Sequence, residues 1–404
     1  MPWSETTPMD QRLQFVADAE RLEEPFTALC ARYGIAPKTG YKVLARYQAE
    51  GPTGLLERSR RPHTSPSATP PESVEALLAL RRRHPSWGAK KLVAILARRQ
   101  AGHTPQLILP APSTAAALLK RHGLITRPRR RRALGHPGRP QTPMTEPNAV
   151  WTADFKGQFK TLDGRYCYPL TVADGASRYL LGCRALTSTR VAESRPVFVR
   201  LFQEYGLPAR LRTDNGVPFA TIALGRLSPL SVWWIRLGIV PELIEPSHPE
   251  QNGRHERMHR TLKAEATRPP KASCRAQQRR FDAFRTEFND ERPHEALTQA
   301  TPASVYVPSP RPYPARLLPL EYPAHLEVRR VSRNGGIRWH NHWVNVSHVL
   351  AEEYVACEEL ADGLWQVYFG PLPLGRFDEH LLRIADQYGN TSRNPRQVLP
   401  MSSD

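Results

Sequence analysis

The chain has 404 residues, enough for two to four folded units with cores of their own, and a formal net charge of +19 with a pI near 10.1. Such an excess attracts polyanions and makes nucleic acid the leading class of partner. Five cysteines (Cys30, Cys167, Cys183, Cys274, Cys357) are scattered without a C-x-x-C pair, so neither a disulfide framework nor a thiolate zinc site is visible, and a reducing compartment fits. The opening MPWSETTPMD has no basic region followed by an apolar run, and no segment is apolar enough to cross a bilayer. A cytoplasmic protein without a membrane partner is expected.

Residues 10–60 carry helical periodicity interrupted by turn residues, and within an expected DNA-binding domain over 1–58 PFTALCARYGIAPKTGYKVLARYQAEG reads as a helix-turn-helix: one helix to about Tyr33, a turn at Gly34, a second helix from about Lys38. Val43, Leu44 and Tyr47 form its apolar side. Lys38, Thr39, Lys42 and Arg46 form a basic side suited to phosphate and base-edge contacts, or an ordinary solvated face. A Pro/Ser/Arg-rich linker spans 59–72. A second helical DNA-binding domain is expected over 73–126, with helices over 73–84, 88–100 and 113–123, and a basic linker over 127–147. There Arg129, Arg130, Arg131 and Arg132 sit among Pro and Gly, cannot pack, and suit a segment that tracks DNA.

From residue 148 the pattern changes to strands over 149–159, 167–175 and 179–186, with a turn at Asp163-Gly164, then a helix over 191–206 and a strand over 209–216. A helix near 230–238, a short strand over 240–246 and a long helix over 276–290 follow. This order predicts an α/β unit over 148–310, a mixed sheet with helices packed on it. Short strands and turn signals over 325–380 predict a small β-barrel with Trp339, Trp343, Trp365 and Tyr368 mostly in its core. Residues 381–404 read as a disordered tail.

Three carboxylates stand out. Asp154 lies inside the first apolar strand and Asp214 at the end of another, just before Asn215-Gly216. A charge so placed is costly unless paired, hydrogen-bonded or bound to a cation. Adjacent strands would bring both to one sheet edge. Glu256 follows Asn252-Gly253, in the first turn of a helix where Arg260 and Lys263 share its face while Met258 and Leu262 face inward. Asp163, Asp174 and Glu250 are second choices.

WTADFKG, LRTDNG and PEQNGRHERMHRTLK resemble the three catalytic blocks of the retroviral-integrase superfamily, in particular the integrase-like transposases of bacterial insertion sequences. FNDERPHEAL with TPASVY, and the N-terminal helix-turn-helix with RSRRPHTSP, are similar to segments of the same proteins, so the resemblance runs in order through residues 20–310. It implies a ribonuclease-H-like core in which Asp154, Asp214 and Glu256 ligate Mg²⁺ or Mn²⁺, two ions roughly 4 Å apart serving an in-line phosphoryl transfer. It further implies DNA contacts through Asn215, Gln251, Asn252, Arg260 and Lys263, a homodimer or higher assembly on double-stranded transposon ends and target DNA, and a nucleoid-associated location. Between Asp214 and Glu256 lie 41 residues, longer than is common in the superfamily, and the surplus is assigned to a surface loop over 221–231.

Two rival readings remain. HERMH (255–259) matches the H-E-x-x-H zinc-protease signature, but its extension fails at Leu262, where Gly is expected, and at Glu265, where the last His would fall. In the transposase reading His255 and His259 contact DNA or lie near it. A DNA-binding regulator or architectural protein with an inactive core is the other alternative.

Overall fold

The computed structural model describes residues 7–21, 23–58, 68–101, 107–125, 142–245, 251, 253–387 and 391. Two compact units divide the chain, residues 1–68 and 69–404. In the first, α1 (Pro8–Arg21), α2 (Phe26–Arg32) and α3 (Pro37–Glu50) surround Phe15, Val16, Leu29, Cys30 and Leu55. Gly34 takes the left-handed conformation at φ +65 between α2 and α3, and Pro37 opens α3 where its missing N–H costs nothing. Val43, Leu44 and Tyr47 pack on the cluster. Gly40 marks the close crossing: a Cβ there would meet Cys30 Sγ at 2.6 Å and the rings of Phe15 and Phe26 at 3.0 Å.

The second unit begins with α4 (Pro71–Arg83), α5 (Ala89–Gln100) and α6 (Pro112–Arg121), packed around Leu77, Trp87, Leu92 and Leu119. These helices are tied to the α/β region that follows. His84 Nδ1 lies 2.9 Å from Glu287, Lys90 donates to Glu295 at 2.7 Å, and Arg98 donates to the Gln299 carbonyl at 2.8 Å.

The α/β region contains β1 (Val150–Phe155), β2 (Phe159–Lys160), β3 (Tyr166–Asp174), β4 (Leu180–Leu186), α7 (Val191–Tyr205), β5 (Arg210–Thr213), α8 (Pro229–Arg236), β6 (Val240–Leu243), α9 (Gly253–Ala266) and α10 (Cys274–Thr286). Central β1 runs antiparallel to β3 and parallel to β5, β6 extends the sheet in parallel beyond β5, and β4 lies antiparallel on the far side of β3. The strand expected over 149–159 breaks at Gly157, φ +82, and its end pairs with β3 as β2. The hairpin turn falls at Asp163-Gly164, where Gly164 has φ +79.

Successive strand residues point to opposite faces, and that alternation sorts the sheet. Trp151, Ala153, Leu170 and Val172 join Phe198, Phe202 and Trp234 in the cluster under α7 and α8. The opposite face meets α9 and α10 through Cys167, Cys183, Met258, Leu262 and Phe281. Helix α10 passes into a π turn over Glu287–Glu291, within the helix expected to reach 290.

Residues 221–231 are no surface loop. Leu224 and Leu227 are 4% and 2% exposed, share a core with the C-terminal β-structure, and the Gly225 N–H donates to Asp386. Leu224 and Leu227 therefore bury apolar area against that β-structure.

That β-structure comprises β7 (Glu327–Arg330), β8 (Gly336–Trp339), β9 (His342–Asn345), β10 (Tyr354–Ala361), β11 (Leu364–Phe369), β12 (Leu372–Asp378) and β13 (Arg383–Ala385). The expected barrel is not closed. An open antiparallel sheet, β13-β12-β11-β10-β7, stands beside a separate β8-β9 hairpin, and among the described residues no ladder joins the two. The hairpin supplies side chains instead: Ile337, Trp339 and Val344 fill a core with Val355, Val367 and Phe377. Trp339 is buried, Trp365 and Tyr368 are half-buried, and Trp343 is exposed and lies over Gly336 rather than in the core. Strand β13 pairs with β12 inside the segment expected to be disordered; residues 388–390 and 392–404 of that segment lie outside the described ones.

Candidate active site

The sheet register builds the site. Ala153 pairs with Thr213 in the parallel β1–β5 ladder, so the next residue on each strand is an aspartate, Asp154 beside Asp214. Alternation turns Thr152 and Asp154 away from the α7 side and toward α9, where Thr171 of β3 joins them. Glu256, exposed in the first turn of α9, faces the same cleft as Asp154; the cleft is also lined by Lys156, His259, Arg260 and Lys263.

The electrostatics are those of crowded acids. Burial pushes the Asp154 carboxyl up to about 7, and the neighbouring charge of Asp214 and then that of Glu256 push in the same direction. Burial also raises the Asp214 carboxyl, against one hydrogen bond from the Gly216 N–H at 3.2 Å. An oxygen-rich cluster that resists full ionisation by itself fits a hard divalent cation.

Beneath it lies a polar cluster whose members the sequence does not connect. His255 and His259 are 2% and 5% exposed, which leaves little surface for direct contact with DNA and places His259 on the wall of the cleft. The reason is helix phase: positions 255, 258, 259 and 262 form the inward face of α9. The Thr171 hydroxyl lies 2.7 Å from Nε2 of both histidines and 3.0 Å from the Asp154 carbonyl, while the Thr152 hydroxyl lies 2.8 Å from His255 Nδ1. His259 Nδ1 approaches Asp154 Oδ2 at 3.6 Å. Burial holds the imidazoles neutral, pushing His255 down to about 3 and His259 to about 2.

Ligand atoms of Asp154, His255 and His259 lie within 4.8 Å of one another. Glu265, where the extended zinc-protease signature would place its last ligand, is held by Arg292 at 2.8 and 3.1 Å.

The remaining candidates separate by environment. Asn215 donates to the Ile244 carbonyl at 2.9 Å, and Gln251, 7% exposed, exchanges hydrogen bonds with Glu245. Both brace the loops around the cleft. Arg260 and Lys263 are exposed beside Glu256. In the first unit Lys38, Thr39 and Lys42 are exposed, whereas Arg46 donates to the Leu56 carbonyl at 2.6 Å. Asn252, Arg129, Arg130, Arg131, Arg132 and Glu250 lie outside the described residues. Asp174 is spent on its own turn, accepting from the Asn148 and Ser177 N–H groups and the Ser177 hydroxyl, and Asp163 accepts from Thr161 within its hairpin. Thr152 and Thr171 went unnoticed in the sequence; their one signal is polarity at alternate positions of otherwise apolar strands.

Known families match in the same order. Integrase core domain families match residues 144–249 and 237–302, a homeodomain-like domain matches 39–119, and a helix-turn-helix domain matches 11–63. The uncharacterized 31.7 kDa protein of insertion element IS407 from Burkholderia multivorans is 28% identical over 191 residues, 46% of this chain and 65% of that relative. The chain thus matches somewhat less than two thirds of that relative's length. Among solved structures, the HTLV-2 integrase catalytic core domain in complex with magnesium aligns at 14% identity over 40% of this chain and 98% of its own, TM-score 0.33. A simian T-cell lymphotropic virus intasome chain aligns at 15% identity over 74% of this chain and 97% of its own, TM-score 0.35. At such scores the fold rests on the strand order and the family matches.

Proposed function

We propose that this chain, with its integrase core and helix-turn-helix matches, is an integrase-like transposase of a bacterial insertion sequence that binds the ends of its element, nicks them to free 3′-hydroxyls and joins those hydroxyls to target DNA. The observation that carries this reading is the β1–β5 register, which sets Asp154 beside Asp214 at the foot of the helix bearing Glu256. Those three carboxylates would hold Mg²⁺ or Mn²⁺, in a two-ion site. When bound, the ions supply the charge that activates an attacking oxygen and stabilises a leaving one in an in-line displacement.

The protein's own groups do the rest. Asp154 is braced from below: its backbone carbonyl lies near the Thr171 hydroxyl and its carboxylate near His259, so the ligand set is ordered before a cation arrives. Arg260 and Lys263, one and two turns along α9 from Glu256, are placed to receive phosphates on either side of the scissile bond. Lys38, Thr39 and Lys42 on α3 would read the element's ends, with Arg129, Arg130, Arg131 and Arg132 following the duplex. Because two ends must be handled together, a homodimer or higher assembly forms on the DNA, to be read as the mass of the end complex.

The test is a nicking and strand-transfer assay with end DNA and Mg²⁺, comparing wild type with Asp154→Asn, Asp214→Asn and Glu256→Gln. Loss of both steps in each variant is expected, and full activity in any one removes that residue from the ligand set. Specific end binding by a wild-type chain that neither nicks nor joins would instead support a regulator with an inactive core.

A further inference from the structure

A second cavity, of about 450 Å³, lies across α9 from the carboxylate cleft. Arg254, Arg257, Met258 and Thr261 line it at helical spacing, whereas Glu256, His259, Arg260 and Lys263 line the cleft, and the two share no residue. Its other walls are the turn after β3, the segment after the π turn, and α5. Among the described residues five cationic side chains border it, Lys91, Arg178, Arg254, Arg257 and Arg292, together with the imidazoles of His255 and His294.

The acids around it are already committed. Glu295 accepts from Lys90 at 2.7 Å, Arg292 holds Glu265, and Asp174 is saturated by its own turn. Among the described residues, Lys91, Arg178, Arg254 and Arg257 make no salt bridge. Arg178 Nε and His294 Nε2 are buried without a hydrogen-bond partner. An unpaired polar atom kept from water costs free energy, so its persistence asks for a ligand.

Backbone strain points the same way. Arg178 is held at φ +66, a region most non-glycine residues avoid, by a turn that Asp174 ties down through the Ser177 N–H at 2.7 Å and hydroxyl at 2.6 Å. The Gly175 carbonyl of that turn accepts from Arg254 at 2.8 Å, which fixes a second guanidinium on the rim. Burial and mutual repulsion lower the affinity of these groups for their protons, Lys91 to about 8 and Arg178 to about 10. A bound anion would relieve both effects.

We propose that this cavity is a phosphate site, built by Lys91, Arg178, Arg254 and Arg257 to take one phosphate group of a DNA backbone or of a free phosphate. Guanidinium groups match phosphate oxygens with paired donors, and the cavity can admit an anion of that size with its waters. The site needs no carboxylate chemistry and stands whether or not the chain transposes DNA.

The experiment titrates the full chain, with EDTA present to keep divalent ions out, with inorganic phosphate and pyrophosphate by calorimetry. Wild type should bind, and Lys91→Gln and Arg178→Gln should each weaken binding on the order of tenfold or more. Arg257→Gln serves as a third variant, because among the described residues its exposed side chain makes no salt bridge and its fold, checked by circular dichroism, should match wild type. Adding a short duplex then separates the sources. Displacement of phosphate by DNA assigns the site to a backbone phosphate, and simultaneous binding of both assigns it to a free one. No binding by wild type, or equal affinity in wild type and the three variants, overturns the proposal.

Discussion

The two sides of α9 differ in sign and agree in condition. On one side burial drives the Asp154 carboxyl up to about 7; on the other it drives the Lys91 ammonium down to about 8. Each group is pushed toward neutrality chiefly because burial strips the water that would solvate its charge, and a like charge nearby, Asp214 for Asp154 and Arg292 for Lys91, adds to the push. A bound ion of opposite sign would favour the charged form of each group: a divalent cation in the cleft and a phosphate in the cavity, as proposed above.

The largest expected effect tests the cleft. Mg²⁺ should stabilise the wild-type chain against heat, by about 2.7 kcal/mol at a hundredfold excess over its Kd, and Asp154→Asn should abolish the gain together with nicking. Removing a ligand of the reacting ions should cost at least about a hundredfold in rate, several kcal/mol at the barrier. If Mg²⁺ stabilises Asp154→Asn and wild type equally, the cleft is not the cation site and the comparison fails.

Next is the polar brace under α9. Thr171→Val keeps the shape but strips the hydroxyl from two buried imidazoles, so a loss of about 1–3 kcal/mol in chemical denaturation is expected. An unchanged midpoint would show that the two histidines are satisfied in another way.

Lys91 gives a smaller effect with a defined sign. Its folded value of about 8 lies below its ordinary 10.5, so between those limits the unfolded chain holds a proton that the folded chain has released. Stability from this group therefore rises as pH climbs from 8 to 10.5. Arg292 repels the ammonium while Glu265 and Glu295 attract it, and none of these changes charge in that window. Lys91→Gln should flatten the rise in melting temperature relative to wild type; parallel curves would place Lys91 in water.

The smallest effects belong to the exposed cations of α3. Lys38→Ala and Lys42→Ala should each weaken DNA binding modestly and reduce the salt slope by about one per lost phosphate contact. Unchanged slopes would mean that α3 does not touch the duplex backbone.

Much of this molecule could be read along the chain because its signals are local. The α2–α3 turn needed only Gly34 and Pro37, and the core strands needed only alternation and Gly164. Asp154 and Asp214 stood out because a charge inside an apolar strand is anomalous at the level of a few residues. The phase of α9 likewise placed Glu256, Arg260 and Lys263 together. The same phase buries His255 and His259, a consequence that becomes visible only when Thr152 and Thr171 arrive from two strands, 103 residues before His255 and 88 before His259.

Where side chains meet across long separations, tertiary structure decided. Leu224 and Leu227 look like loop residues until the C-terminal sheet covers them, and β8-β9 looks like part of a barrel until its side chains, not its backbone, make the contact. The phosphate cavity is the extreme case, drawing Lys91, Arg178, Arg257 and His294 from four separate segments. By itself, the sequence determined the local elements, the polyanion-seeking charge and the three candidate carboxylates, since these follow from neighbours along the chain. Which charges are left without a partner was decided by folding alone, because burial and pairing are properties of the space around a side chain.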